Sequence, residues 1–328
     1  MTQHRAGRAA PFGGTPPPKA TDRQAKSSYS IPVRAPYRLD LTVSVLRRLS
    51  TNLVDVLSPD GAYVRVLDDK GPAVVRVRQV GARTLDVGID GGRREHQRLL
   101  ALVRRTLGVE VDLTRFYRSA SRIQWLHPLA LRMRGVKPPR YPTLWEACVN
   151  AIVFQQVSVV AASAIMRQFI VALGEPLDRY GARLYRFPSA ACVQGARDAR
   201  LRAAGLSANK LATLRRVADA LGRGSLNETL LEERPSPDAA ALLRGIKGIG
   251  PWTAAVILLR GLGRLDVFPA NDSSVARNLA LVGGSAPFGV EAALDTLGPQ
   301  RGMLYYHLLL ARLEPRDDLG RPSYERSR

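Results

Sequence analysis

The chain has 328 residues, enough for about two domains of ~100–200 residues each, and its 45% hydrophobic and 23% charged content is that of an ordinary globular protein. Its 49 Lys+Arg against 28 Asp+Glu leave a net charge of +21. That surplus fits a partner that is a polyanion, nucleic acid first, although an Arg-rich proteome gives unrelated proteins the same excess. Two cysteines, Cys148 and Cys192, exclude a disulfide scaffold and any four-cysteine zinc or iron–sulfur site, and the four histidines show no metal-ligand spacing.

Residues 1–36 read as a disordered basic tail, with Pro16–Pro18 and six Lys/Arg against one acid. Residues 37–118 read as an N-terminal α+β domain. A helical run at 41–49 precedes three strands, 62–67, 73–80 and 84–89, with turns at 69–71 and 81–83. Alternation in the middle strand points Val75 and Val77 inward and Arg76 and Arg78 outward, a basic outer face. An amphipathic helix at 94–107 closes the unit.

Residues 119–316 read as a helical domain without strands, and 317–328 as a C-terminal tail. Helices are predicted at 143–154 and 158–173, broken at Gln155-Gln156, and at 208–221. Another starts at Ser236-Pro237-Asp238 and stops at Gly245. The longest apolar stretch, 147–165, is cut by Asn150, Gln155 and Gln156, so no membrane span is expected. The N-terminus has no apolar core of the kind a secretory signal needs, which points to a reducing, intracellular setting. For a prokaryotic source that means the cytoplasm, in association with the nucleoid.

The segment 243–277 carries the most information. After the helix ends at Gly245, Ile246-Lys247-Gly248-Ile249-Gly250 forms a tight turn with two glycines, and a new helix opens at Pro251. The turn amides and the open helix N-terminus make a site for a phosphodiester; a plain glycine cap between two helices has the same pattern. Twenty-two residues beyond Gly250, Asp272 stands at a second helix start, after Pro269. An N-cap is the ordinary role of such an aspartate. That position also keeps it ionised, as an oxocarbenium-like transition state requires.

These residues resemble the helix-hairpin-helix/Gly-Pro-Asp superfamily of DNA base-excision glycosylases, and within it the bacterial 3-methyladenine DNA glycosylase II branch. Four ordered elements carry the likeness: Ile152–Val159 around Gln155-Gln156, Gly205-Leu206-Ser207-Ala208-Asn209-Lys210, Gly248-Ile249-Gly250-Pro251-Trp252-Thr253-Ala254, and Arg301–Leu309. The resemblance implies a mainly α fold with an N-terminal α+β unit and a two-lobed helical domain. It makes Asp272 the catalytic carboxylate and Ile246, Lys247, Gly248, Ile249 and Gly250 the phosphate grip. Trp252, with Tyr305 and Tyr306, would line the base pocket; Gln156, with Gln155, would wedge into the duplex.

The partner implied is double-stranded DNA containing a damaged base, met by a monomer. No cofactor is implied, with a monovalent cation at the hairpin the one allowance. Trp252 occupies the place where lyase members carry a lysine, which implies a monofunctional hydrolase of alkylated purines (3-methyladenine, 7-methylguanine) without AP lyase activity. A glycosylase for hypoxanthine, uracil or an oxidised purine, and a non-catalytic helix-hairpin-helix DNA-binding protein, are the rival readings. Three departures stand out: the P-x-x-D spacing of Pro269 and Asp272, and Val256 and Gln300 where the bacterial relative has aromatics.

Overall fold

The computed structural model describes residues 27–68, 72–91, 95–269, 279 and 289–320. A five-stranded antiparallel sheet has the order β1-β5-β4-β3-β2, formed by β1 (Ser27–Pro32), β2 (Val56–Leu57), β3 (Tyr63–Asp68), β4 (Pro72–Gly81) and β5 (Thr84–Asp90). Its inner face, with Val75, Val77, Leu85, Val87 and Ile89, packs on α1 (Leu39–Arg47) and α2 (His96–Leu107). The three predicted strands and both helices stand close to their expected bounds. The turn at 69–71 lies outside the described residues.

Four expectations need correction. The segment assigned to a tail contributes β1, whose residues Ser27–Pro32 pair with Ile89–Thr84 of β5. Its burial alternates, with Tyr29 and Ile31 inward, but three serines and a proline among its six residues hide the strand in the sequence. The helical region is not free of strands. β6 (Pro176–Arg179) and β7 (Ala182–Tyr185) form a hairpin whose Leu184 packs on Val64, Val66 and Val74, covering part of the sheet's outer face. The rest of that face is not a free basic surface, because Arg76 pairs with Asp60 and Arg78 with Asp86 (3.2 Å). The C-terminal segment begins as packed chain: Ser50 N–H donates to Asp318 Oδ1 (2.9 Å), and Gly320 N–H to Ser44 Oγ (2.8 Å).

The helices form two lobes. The first is built around α5 (Leu144–Val153), a helix buried along its whole length. α6 (Val159–Leu173), α9 (Ala208–Gly222) and α12 (Pro251–Ile257) pack on it; α7 (Ala190–Gly195) and α8 (Asp198–Ala203) pack on α9, and α10 (Glu228–Glu232) on α11 (Ser236–Arg244), which packs on α12, all around one core. Thr143 caps α5 by accepting from the Glu146 amide, and Ser158 caps α6 by accepting from Ala161. The second lobe packs α3 (Thr114–Ala120) and α4 (His127–Arg132) against the helices Val290–Leu297 and Met303–Leu313. Leu41 and Val45 of α1 belong to that second core, so the boundary after residue 118 does not separate two cores.

The sheet is fastened to α5 by a buried charge network. Arg65 Nη1 donates to Asp55 Oδ1 (2.6 Å) and Nη2 to Glu146 Oε2 (2.5 Å), while Tyr63 Oη donates to Asp55 Oδ1 (2.8 Å). Burial raises the Glu146 carboxyl, and the Arg65 charge opposes that rise. After α12 the helix loosens into a π-helical turn, Leu258–Leu262, which crosses from the first lobe to the second. π-Bulges of this kind recur at functional sites.

Candidate nucleic-acid interface

The hairpin between α11 and α12 has the predicted form. Ile249 N–H donates to Ile246 O (3.0 Å), and Ile249 is buried in the first lobe's core. Gly248 has a φ of +104°, and a Cβ there would fall 2.0 Å from Thr213 Oγ1 on α9, so only glycine fits. Gly250 is different: it faces open space, and a Cβ there would meet no atom within 4 Å. Lys247 is exposed, and its carbonyl accepts from Arg216 Nη1 (3.2 Å). The Gly248 carbonyl is engaged as well, by Gln155 Nε2 (2.9 Å). Both carbonyls thus accept from a side-chain donor.

The two glutamines divide their tasks. Gln156 adopts a φ of +56°, a left-handed backbone that non-glycine residues rarely take, and its side chain is exposed. It projects from the turn between α5 and α6, flanked by exposed Val157 and Val160. Gln155 turns inward. Its Nε2 donates to Thr253 Oγ1 (2.7 Å) as well as to Gly248 O, joining this turn to the hairpin. Of the two glutamines, only Gln156 has the exposure a wedge needs. Lys210 Nζ donates to Val153 O (2.8 Å), closing the carbonyl end of α5 just before the turn.

Trp252 is half-buried at the first turn of α12 and packs on the first core. Val256, one turn on, is 1% exposed and belongs to that core. Tyr305 is half-buried, but Tyr306 is not a pocket residue. It is 0% exposed, and its Oη donates to Leu259 O (3.2 Å). Neighbouring residues on a helix point ~100° apart, so one tyrosine faces the core and the other the space between the lobes. Gln300 turns to Asp112, donating from Nε2 to its carbonyl (3.0 Å). Trp145 is in the core, bonded to Pro188 O (2.8 Å), and His307 is fully buried. Asp272 lies outside the described residues.

Sequence reasoning missed a group deeper between the lobes. Arg48, at the C-terminal end of α1, is 4% exposed, with its guanidinium carbon 3.6 Å from the centre of the Phe154 ring. Its φ of +59° is again left-handed. Arg260, in the π-helical turn, is 0% exposed; it stacks 4.6 Å over Tyr141 and donates to Val45 O (2.9 Å). Tyr305 interacts electrostatically with both guanidinium groups.

Residues 149–296 match the model of the HhH-GPD superfamily base excision DNA repair protein. The chain carries an HhH-GPD superfamily domain. The motif resemblance is borne out at that level. The chain is 29% identical over 259 residues to a probable bifunctional transcriptional activator/DNA repair enzyme AlkA of Mycobacterium tuberculosis, covering 77% of this chain and 50% of that one. It is 24% identical to a DNA-3-methyladenine glycosylase of Bacillus subtilis, covering 57% of this chain and 62% of that one. It therefore spans between half and two-thirds of the length of these curated relatives.

Among solved structures, a 3-methyladenine DNA-glycosylase from Archaeoglobus fulgidus superposes with a TM-score of 0.72 at 26% identity, over 87% of this chain and 99% of that one. An 8-oxoguanine glycosylase/lyase from Clostridium acetobutylicum superposes at 0.68 with 15% identity, over 90% of this chain and 98% of that one, a likeness of fold alone. Among the described residues, no helix is long and apolar enough to cross a membrane, and no three His, Cys, Asp or Glu side chains are grouped to hold a metal.

Proposed function

We propose that the chain is a monofunctional DNA glycosylase that turns a damaged nucleotide out of double-stranded DNA and hydrolyses its N-glycosidic bond. Alkylated purines, 3-methyladenine and 7-methylguanine, are its substrates, and it acts as a monomer without a cofactor. One observation carries this reading: Gln155 ties the projecting Gln156 turn directly to the hairpin at Gly248. A hairpin that only clamped phosphate would need no such tie to an exposed side chain. The relatives named for DNA-3-methyladenine supply the substrate class.

In this reading the hairpin grips a backbone phosphate, Gln156 fills the space the base leaves, and the flipped base stacks near Trp252. Flipping costs a few kcal/mol, least for a weakened pair. N3- and N7-alkylated purines are cationic and leave readily. A cation–π contact with Trp252 is worth about 0.5–2 kcal/mol. Asp272 stabilises the sugar cation and orients water at C1′. Trp252 offers no amine, so no Schiff base forms and the product is an intact abasic site.

The test is release of free base from alkylated duplex DNA. Asp272→Asn should lower single-turnover release by more than a hundredfold while lesion binding persists; a loss under about tenfold, ~1.4 kcal/mol, removes Asp272 from the chemistry. Borohydride should trap no enzyme–DNA adduct, and a trapped species would overturn the monofunctional reading. Gly250→Ala, which has room for its methyl group, should weaken binding to damaged and undamaged duplex by similar factors.

A further inference from the structure

Arg48 and Arg260 present a physical problem. Taking a guanidinium out of water costs several kcal/mol unless a carboxylate or a full set of acceptors replaces the water. Neither has a carboxylate partner among the described residues; Glu146, whose carboxyl senses the Arg260 charge, is engaged by Arg65. Arg48 Nη1, Arg260 Nε and Nη1, and the Tyr141 hydroxyl are all buried without a hydrogen-bond partner among those residues. Two like charges and four idle polar atoms are thus gathered in one place. Arg65, buried to the same degree, has two carboxylates.

The location is informative. Arg48 borders a small open cleft between α1, α5 and α6, shared with Asn52, Asn150, Phe154, Ser163 and Arg167. Phe154, on which Arg48 stacks, directly precedes the Gln155-Gln156 turn. Arg260 follows Trp252 by eight residues, past the end of α12 and inside the π-helical turn. Tyr305, packed on the second core, interacts electrostatically with both guanidiniums. Backbone strain falls on Arg48 and Gln156, at opposite ends of this arrangement.

We propose that Arg48, backed by Arg260, donates hydrogen bonds to the acceptor edge of the flipped base and stabilises the negative charge that a neutral base acquires as it leaves. This rests on the glycosylase reading and deepens it, since cationic alkylated purines depart without such help. The bases that need it are neutral and carry an oxo group, such as hypoxanthine, whose O6 and N7 match a guanidinium edge. The bond from C1′ to the base nitrogen breaks, and its electron pair goes to the base. Water bonds to C1′ and gives its proton to Asp272. The base takes a proton from solvent, while Arg48 donates hydrogen bonds and transfers none. Fixed donors at a site of developing charge contribute about 10²–10³ in rate where one has been removed.

The test compares single-turnover release from two duplexes, one with hypoxanthine and one with 7-methylguanine, by the full chain and its Arg48→Met and Arg48→Lys variants. The ratio of hypoxanthine to 7-methylguanine release should fall about hundredfold in Arg48→Met and recover in part in Arg48→Lys. Equal losses on both bases, or an unchanged ratio, would overturn the proposal and leave Arg48 a structural residue. Wild-type protein that releases 7-methylguanine but no hypoxanthine also overturns it, and leaves the alkylated-purine reading standing. Release of hypoxanthine alone, lost in Arg48→Met and partly recovered in Arg48→Lys, would support it against that reading; release of neither base overturns both.

Discussion

Arg65 and Arg48 are almost equally hidden from solvent, at 2% and 4% exposure, yet their surroundings are opposite. Arg65 is held by two carboxylates, Asp55 and Glu146, each within 2.6 Å, and its work is to fasten the sheet to α5. Arg48 has a phenyl face, a tyrosine hydroxyl, a second guanidinium beside it and an idle Nη1. Burial alone does not separate a structural arginine from one kept for another task. The inventory of partners does, because a fold gains nothing by leaving a desolvated cation unanswered.

The same substitution at both positions tests this contrast most directly. Arg65→Met leaves Asp55 and Glu146 buried without their cation and should cost about 3–5 kcal/mol. Denaturant titration should show a midpoint far below wild type; a cost under about 1 kcal/mol would mean the network is not structural. Between the extremes stands His307, a buried base that avoids charge altogether. Its Nδ1 donates to Met303 O (2.8 Å), its ring packs 4.7 Å from Phe116, and burial lowers its pKa from 6.5 to about 4. The unfolded chain takes up a proton below pH 6.5 and the folded chain does not, so stability is full above that pH. It is lost as pH falls from 6.5 towards 4, by about 3 kcal/mol, and His307→Leu should flatten that window. The smallest effect is expected at Arg48→Met, which removes an unanswered charge and should change stability by less than about 1 kcal/mol in either direction. A loss of about 3 kcal/mol there would erase the contrast.

Much of the fold was legible in the sequence, since β3–β5 alternate cleanly, α5, α6 and α9 carry side-chain caps, and α11 opens with a proline in its first turn. The β6–β7 hairpin was not. Its turn places both Tyr180 (φ +53°) and Gly181 (φ +71°) in the left-handed region, a hairpin geometry that normally announces itself with Asn-Gly or Asp-Gly. A tyrosine in the first position hides it. The candidate interface was legible where backbone needs a particular residue, as at Gly248, and illegible where helix phase decides, as at Tyr305 against Tyr306. The guanidinium pair gave no signal at all. Arg47-Arg48 reads as surface charge, and Arg260 comes within reach only through the π-helical turn, which no residue pattern foretells.

Gln155 spans two turns that are 93 residues apart in the chain and fixes the interval between them. A ruler of that kind is a property of the protein, indifferent to whatever lies along it. One end rests on the hairpin and the other on the turn that presents Gln156, so displacement of either is felt at both. Loosening the ruler, for example with Gln155→Ala, would leave both turns in place and blur only the distance between them.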